Sequence, residues 1–566
     1  MTPKTATPPP RASLLARFGP LTAVLIAIGL VAAFASTGRD DQELTSGPGS
    51  ENVAGSANEQ LPISWSEAEE AGTTADLDFG EHCDEERGTV MVPTAYAPPC
   101  QAARAGVKGG ATSPGVTADA IKVVLYEAAD DDLAAALQSK SDPNDKQRET
   151  RTKLIQMYEE MFQTWGRTVD IEFFKGTGSD ETSSRADAVT VATELGAFAS
   201  IGGPNQQGAY ADELSQRGVI CIGCGLSVPD STFQDNAPYM WGSSQTPEQY
   251  LVTLGDYIIE RLFKKKAEFA GDPAMRERER VFGSINFEQD PPVFTETKKI
   301  VAERGAKRGY KAKVAVTYQL VIAQLAETAR SLIGQMKEAG VTTVIFLGDP
   351  IMPQYLTQAA TDQGYFPEWI ITGTVLTDTT VFGRGYDQRQ WANAFGISGL
   401  SARVPQQRGE GYRLHTWYYS AEPVAPKTVA VLHDPIRNFM LGIHQAGPNL
   451  TPETFRDGLF ALPPKGGTPT TPHLSFGDHG IHEAPDYLGY DDMMEVWWDP
   501  EATGKDEQGN EGKGMMRYAD GGKRYLPGKM PKEEPHAFVE EGSVTGYEDF
   551  PPEDAPPDYP SPAAGG

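Results

Sequence analysis

The chain has 566 residues, 39% of them hydrophobic and 22% charged, which is apolar material enough for more than one packed core. Its formal net charge of −29 excludes the overall basic bias on which nucleic-acid-binding surfaces depend. The acidity bears on solubility and says little about fold.

Arg11 and Arg17 precede an apolar run from Leu21 to Phe34 that closes in Ala33-Phe34-Ala35. A positive flank, a short apolar centre and a small-x-small exit predict a secretory signal peptide over residues 1–36. Counted from Phe18 to Ala35, the same run becomes an N-terminal membrane anchor. Either way the remainder is expected outside the cytoplasm, secreted or held at the cell surface. Residues 37–116, rich in Gly, Ser, Pro and acidic side chains, read as a low-complexity linker. In an oxidising compartment the four cysteines predict disulfides, paired by proximity: Cys83 with Cys100 and Cys221 with Cys224.

An alternating pattern follows. Ile121 to Tyr126 is a β-rich run, and Leu154, Tyr158, Met161, Phe162 and Trp165 fall on one helical face. Val169, Ile171 and Phe173 alternate as a strand, Ala188, Ala192 and Leu195 return to helical spacing, and Phe198 to Ile201 is a strand closed by Gly202-Gly203-Pro204. Tyr210 and Leu214 mark a helix, Val219 to Ile222 a strand. The alternation then restarts: a helical stripe at Leu251, Leu254, Ile258 and Leu262, and strands at Val281–Asn286 and Val314–Val316. A helix through Leu325, Leu332 and Met336 precedes strands at Val341–Leu347 and Trp369–Thr372. Two such runs predict an α/β protein of two lobes, each a mostly parallel sheet flanked by helices. Residues 533–566, with Pro551-Pro552 and Pro556-Pro557, read as a Pro-rich disordered tail.

Several segments then line up in order. They are Thr117-Ala-Asp-Ala-Ile-Lys-Val-Val, Ala186 to Leu195 followed by Ala199-Ser-Ile-Gly-Gly-Pro204, Leu214 to Gly223, and Pro238 to Thr246. Glu338 to Gly348, Leu474 to Gly480 and Met494 to Asp499 complete the series. Together they resemble the leucine/isoleucine/valine-type solute-binding proteins of ABC importers, of the type I periplasmic-binding fold, over roughly Thr117 to Tyr525. The resemblance implies a ligand cleft between the lobes. Residues 117–244 and 374–476 would form lobe 1, and 245–373 with 477–532 lobe 2, hinged near Ser244-Gln245, Gly373 and Phe476-Gly477. It also implies a small-molecule ligand, an amino acid or a related amide or carboxylate, and an importer permease as partner. A monomer without cofactor is expected, touching membrane only through the N-terminal segment or the permease.

In open parallel sheets, ligands collect beyond the carboxyl ends of the strands. Gly203, Pro204, Asn205 and Gln206 follow a strand, and backbone N–H groups there would suit a ligand carboxylate. The same four residues also make an ordinary turn. Cys224 and Ser227 lie in the loop after the next strand. The resembling family supplies small hydroxyl residues from this loop, which Ser227 matches and Cys224 does not. From the second lobe come Phe287, Glu288, Tyr318 and Asp349. Asp349 would pair with a ligand ammonium, or would simply cap the helix that follows Pro350.

The sequence has no Gly-x-Ser-x-Gly elbow and no His-Glu-x-x-His, and no catalytic residue is assigned. His473, His479 and His482 share a Gly/Pro-rich turn and would either be solvated or hold a metal; no metal ligand is assigned. The alternatives to a solute-binding protein are a tethered sensor or cell-surface interaction module of the same fold, and a thiol oxidoreductase using Cys221 and Cys224.

Overall fold

The computed structural model describes residues 59–132, 141–204, 208–225, 228–288 and 294–562. The predicted signal peptide or anchor lies outside the described residues, as do Asn205, Gln206 and Ser227.

The segment read as a linker is folded over residues 59–104. Strand β1 (Ile63–Ser64) leads into helix α1 (Trp65–Ala71), β2 (Cys83–Asp84) pairs with β3 (Thr89–Val90), and β4 (Gln101–Ala102) returns to pair antiparallel with β1. Ala68, Phe79, Cys100 and Ala102 form a small core, and Cys83 is bridged to Cys100. Composition underestimates this segment because a disulfide and the neighbouring lobe supply what its own few apolar residues cannot. Tyr96 OH donates to Pro472 O at 2.7 Å, and Gln101 Nε2 donates to Gln445 Oε1 at 2.6 Å.

The first lobe is a parallel sheet. It contains β5 (Ala120–Glu127), β6 (Thr168–Lys175), β7 (Ala199–Ile201), β8 (Ile220–Ile222) and β9 (Met240–Trp241), in the order β6-β5-β7-β8-β9. Between strands run α2 (Asn144–Met161), α3 (Glu181–Val189), α4 (Ala209–Gln216) and α5 (Asp230–Asp235). Val123 to Tyr126 are buried without a break, as expected of a strand covered on both faces.

The chain then leaves this core. Helix α6 (Pro247–Asp256) starts sharply because Thr246 accepts from Gln249 N while Gln249 Oε1 accepts from Thr246 N, and Pro247 presets the first turn. The second sheet contains β10 (Phe282–Phe287), β11 (Val314–Tyr318), β12 (Thr343–Leu347), β13 (Glu368–Ile371) and β14 (Ala394–Ser398) in parallel, then β15 (Met493–Lys505), β16 (Glu511–Tyr518) and β17 (Arg524–Tyr525) antiparallel. Its order is β11-β10-β12-β13-β14-β15-β16, with β17 on β15. Helices α7 (Phe294–Ala306), α8 (Leu325–Glu338) and α9 (Met352–Asp362) flank it. Helices α10 (Glu410–Tyr419), α11 (Val429–Ala446) and α12 (Pro452–Phe460) return to the first lobe, where Leu414, Phe439 and Phe455 join its core.

The two cores are separate and share no residue. The chain passes between them after Trp241, after Ala402 and after Leu488. The second passage therefore falls some way beyond Gly373, because β14 hydrogen-bonds β13 in parallel and extends the second sheet. The third falls beyond Phe476-Gly477, because Phe476 and Tyr487 pack edge-on against Trp241 in the first core.

The Pro-rich tail is laid along the body instead of disordered through residue 562. Phe538 packs on Phe269, Phe395 and Trp497 of the second lobe, while Tyr559 OH donates to Asp84 Oδ2 at 2.8 Å on the first-lobe side. Midway, buried Asp554 accepts from Thr470 N at 2.8 Å, from Thr470 Oγ1 at 2.6 Å and from Thr468 Oγ1. Asp554→Ala is expected to weaken this anchorage by about 1.5–3 kcal/mol, typical of lost hydrogen bonds to a charged acceptor. Hydrogen exchange should then speed up over residues 549–559 with little change in the sheets; unaltered exchange there would contradict the anchoring role.

Candidate functional site

The carboxyl ends of the first-lobe strands bring two of the predicted loops together. Gly202 turns the chain out of β7 with φ +86°, which glycine adopts freely. A Cβ on Gly203 would lie 3.0 Å from the Tyr210 ring and 3.2 Å from Cys224 Sγ, so the two loops meet through a glycine. Cys224 is bridged to Cys221, and its Sγ lies 3.3 Å from Gly202 O. The bridge closes the loop after β8 back onto its own strand and sets Cys224 against the loop after β7. Both cysteines are buried, whereas thiol exchange needs a reachable sulfur in an electropositive setting, so the oxidoreductase alternative loses its footing.

In the second lobe, Phe287, Tyr318 and Asp349 form one packed group. The Phe287 and Tyr318 ring centroids are 5.7 Å apart, and Tyr318 OH donates to Asp349 Oδ2. Asp349 Oδ1 accepts from Ile351 N at 2.8 Å and Met352 N at 3.0 Å. The side chain is thereby engaged in holding the tyrosine and the turn into α9, and the residue is 1% exposed. Burial raises its carboxyl above the ordinary range, with the three hydrogen bonds pulling the other way. These hydrogen bonds fasten the turn that precedes α9, whose N-cap position is Ile351. Glu288 follows at the strand end, half-buried, its N–H donating to Tyr318 O at 2.8 Å.

The sequence placed Gln245 at a hinge but not among the ligand-facing residues. It sits at the first passage between the lobes, 3% exposed, and neither its amide oxygen nor its nitrogen has a hydrogen-bond partner among the described residues. It lines a cavity of about 10 Å³ with Gly223, Gly225, Ser243 and Ser244, room for about one water. A buried amide with no partner costs about 1–3 kcal/mol, so this position favours any polar guest that reaches it. Nearby, buried Asp378 accepts from Ser398 Oγ through one oxygen, its other oxygen has no partner, and burial raises its carboxyl to about 6. The signal in the sequence was a polar Ser-Ser-Gln-Thr run directly after a strand, too common a pattern to single out.

No helix among the described residues is long and apolar enough to cross a membrane. No protein-family model matches the chain, and no curated protein does. Among solved structures it is similar to the solute-binding protein of an ABC transporter from Rhodopseudomonas palustris BisB5 in complex with 3,4-dihydroxybenzoic acid, at 12% identity over 73% of this chain and 99% of that one, with a TM-score of 0.49. It is also similar to the branched-chain amino acid substrate-binding protein of Streptococcus pneumoniae in complex with isoleucine, at 13% identity over 71% and 100%, with a TM-score of 0.47. An amino acid ABC transporter substrate-binding protein of Pseudomonas fluorescens Pf-5 matches at 10% identity over 70% and 96%, with a TM-score of 0.49. The two-lobed architecture rests on the strand order and the separate cores given above, not on these likenesses.

Proposed function

We propose that the chain is an extracytoplasmic solute-binding protein. It takes a small polar ligand between its lobes, an amino acid or a related amide or carboxylate, and delivers it to an ABC importer. The observation that carries the reading is the pair of independent cores joined by three passages, with the C-terminal tail as a further link from Phe538 on the second lobe to Tyr559 on the first-lobe side. Such an arrangement lets the lobes turn on the passages while each sheet stays intact, so a ligand touching both lobes shifts the population toward the closed form. Gly203 and Cys224, in the strand-end loops, offer backbone N–H groups from the first lobe; Glu288 and the Phe287–Tyr318 face stand at the strand ends of the second. Gln245 supplies a donor and an acceptor from the passage itself. Two or three charge-assisted hydrogen bonds with modest apolar burial, less association costs, give a Kd of about micromolar order.

The test is a thermal-shift screen of the chain without its leader against amino acids, amides, urea and small carboxylates, with isoleucine and hydroxybenzoates as first probes. A compound at 100 times its Kd is expected to stabilise the fold by about 2.7 kcal/mol. Small-angle scattering should then show compaction. A compound that saturates the protein and leaves the scattering profile unchanged would count against lobe closure, and no hit across all classes would count against the role.

A further inference from the structure

The segment leading into the third passage carries a cluster that the solute-binding reading does not use. His482, Asp486 and Asp491 bring one donor atom each to within 4.8 Å of one another. We propose that these three residues bind a divalent transition-metal cation of the Zn²⁺ class, which pins the third passage between the lobes.

The donor set is mixed, one imidazole nitrogen and two carboxylates, a combination that suits zinc and its first-row neighbours better than calcium or magnesium. Asp486 and Asp491 are buried and the His482 side chain is 9% exposed, so the cluster is not a solvated acidic surface. His482 Nε2 lies 3.1 Å from Asp491 Oδ1. Two donors each at about 2.0–2.2 Å from one tetrahedral zinc ion stand about 3.3–3.6 Å apart, so this pair, at hydrogen-bond distance without an ion, needs to open by only a few tenths of an ångström to share one.

The carboxylates are also held from behind. His473 Nδ1 lies 2.7 Å and Ser475 Oγ 2.8 Å from Asp491 Oδ2. Gln249 Nε2 donates to Asp486 Oδ1 at 2.8 Å, and Gly489 N donates to Asp486 Oδ2 at 2.8 Å. Outer hydrogen bonds of this kind orient ligands at metal centres; Asp491 Oδ2 is filled by its two partners, while Asp491 Oδ1 and both oxygens of Asp486 each keep a second lone pair. Gln249 belongs to α6, so the second-lobe helix and the third passage are already joined at this point.

Charge adds an independent argument. Asp230, whose Oδ1 accepts from Thr246 Oγ1 at 3.3 Å, acts electrostatically on His482. Glu248 has a buried carboxylate oxygen with no partner. Among the described residues, no lysine or arginine pairs with Asp230, Glu248, Asp486 or Asp491; only His473 and His482 do so, both on Asp491. Burial disfavours the charged forms of Asp486 and Glu248, and a bound cation would offset that cost.

The experiment does not depend on the solute. The untagged chain, stripped with EDTA, is titrated with ZnSO₄, MnCl₂ and CaCl₂ by isothermal calorimetry, with thermal shift and hydrogen exchange in parallel. About one Zn²⁺ per chain is expected, with a raised Tm, slower exchange over residues 478–492, and weaker binding of Ca²⁺. Asp486→Asn and His482→Gln should each weaken Zn²⁺ binding at least about tenfold, and Ser475→Ala, which touches only the outer hydrogen bonds, about 10–100-fold. Ser475→Ala keeps the test decisive if a ligand variant does not fold. Absence of saturable Zn²⁺ binding, or an affinity in all three variants equal to that of the native chain, would overturn the site and leave the cluster as a hydrogen-bonded His–Asp–His brace.

Discussion

Arg280→Met is expected to destabilise the second lobe by about 3–5 kcal/mol, the cost of leaving a buried charge without its partner. Arg280 and Glu368 have fully buried side chains. Arg280 Nε donates to Glu368 Oε2 and Nη2 to Oε1, both at 2.9 Å, a two-pronged pairing. Glu368 also accepts from Thr343 Oγ1 at 2.7 Å and Phe269 N at 3.1 Å. Thr343 opens β12, Glu368 opens β13 and Arg280 precedes β10, so one carboxylate gathers the entrances of three parallel strands. With arginine removed, only two neutral donors remain to it. The double variant Arg280→Met/Glu368→Leu removes both charges and should recover much of the loss, because an apolar pair of similar volume replaces a desolvated ion pair at little net cost. Denaturant unfolding of the two variants measures this. Hydrogen exchange adds a sharper check, since separate cores predict that the loss appears in β10–β14 and not in β5–β8. A cost below about 1 kcal/mol, or loosening spread evenly over both sheets, would contradict the argument.

Much of this architecture is legible in the residues themselves. The run from Ile121 to Tyr126 lies within β5, and Val341–Leu347 contains β12, because a strand buried on both faces is a continuous apolar run bounded by turn residues. The second passage was not legible. Gly373 reads as an exit, yet the chain makes one more parallel strand, Ala394–Ser398, whose Ala-Phe-Gly-Ile-Ser run is broken by a glycine and does not read as a continuous apolar strand. Its partner relation is steric: a Cβ on Gly396 would lie 2.0 Å from Ile371 O, so glycine is what lets β14 lie against β13. The tail misled for a related reason. Composition registers its prolines, not the shelf of Phe269, Phe395 and Trp497 waiting for Phe538. At the site, spacing placed Asp349 correctly at a strand end, but a carboxylate that fastens a turn and one that binds a ligand have the same sequence signature. Only the hydrogen bonds separate them.

Those same long-range contacts create a pH dependence that no sequence window contains. His444, on α11, is buried where the N-terminal segment, the end of α2 and the first-lobe core meet. Its Nδ1 accepts from Gln163 N at 2.9 Å, so Nε2 carries the proton and faces Pro99 O at 2.9 Å. Protonating Nδ1 would lose the first bond and charge a ring shut away from water. Burial accordingly lowers its pKa from 6.5 to about 4. Between those values the unfolded chain binds a proton that the folded chain does not, so stability rises with pH across the interval. The contribution is complete above about pH 6.5 and is lost as pH falls toward about 4, an amount of about 3 kcal/mol. His473, raised by its hydrogen bond to Asp491, works in the opposite sense, with stability present at low pH and lost as pH rises through its folded value. The two are separated by His444→Gln, which cannot titrate. The stability difference between the native chain and this variant, followed by urea unfolding from pH 7 to pH 4, should shrink by about 3 kcal/mol. A difference that holds constant over that range would mean that His444 enters the folded state already able to take up its proton.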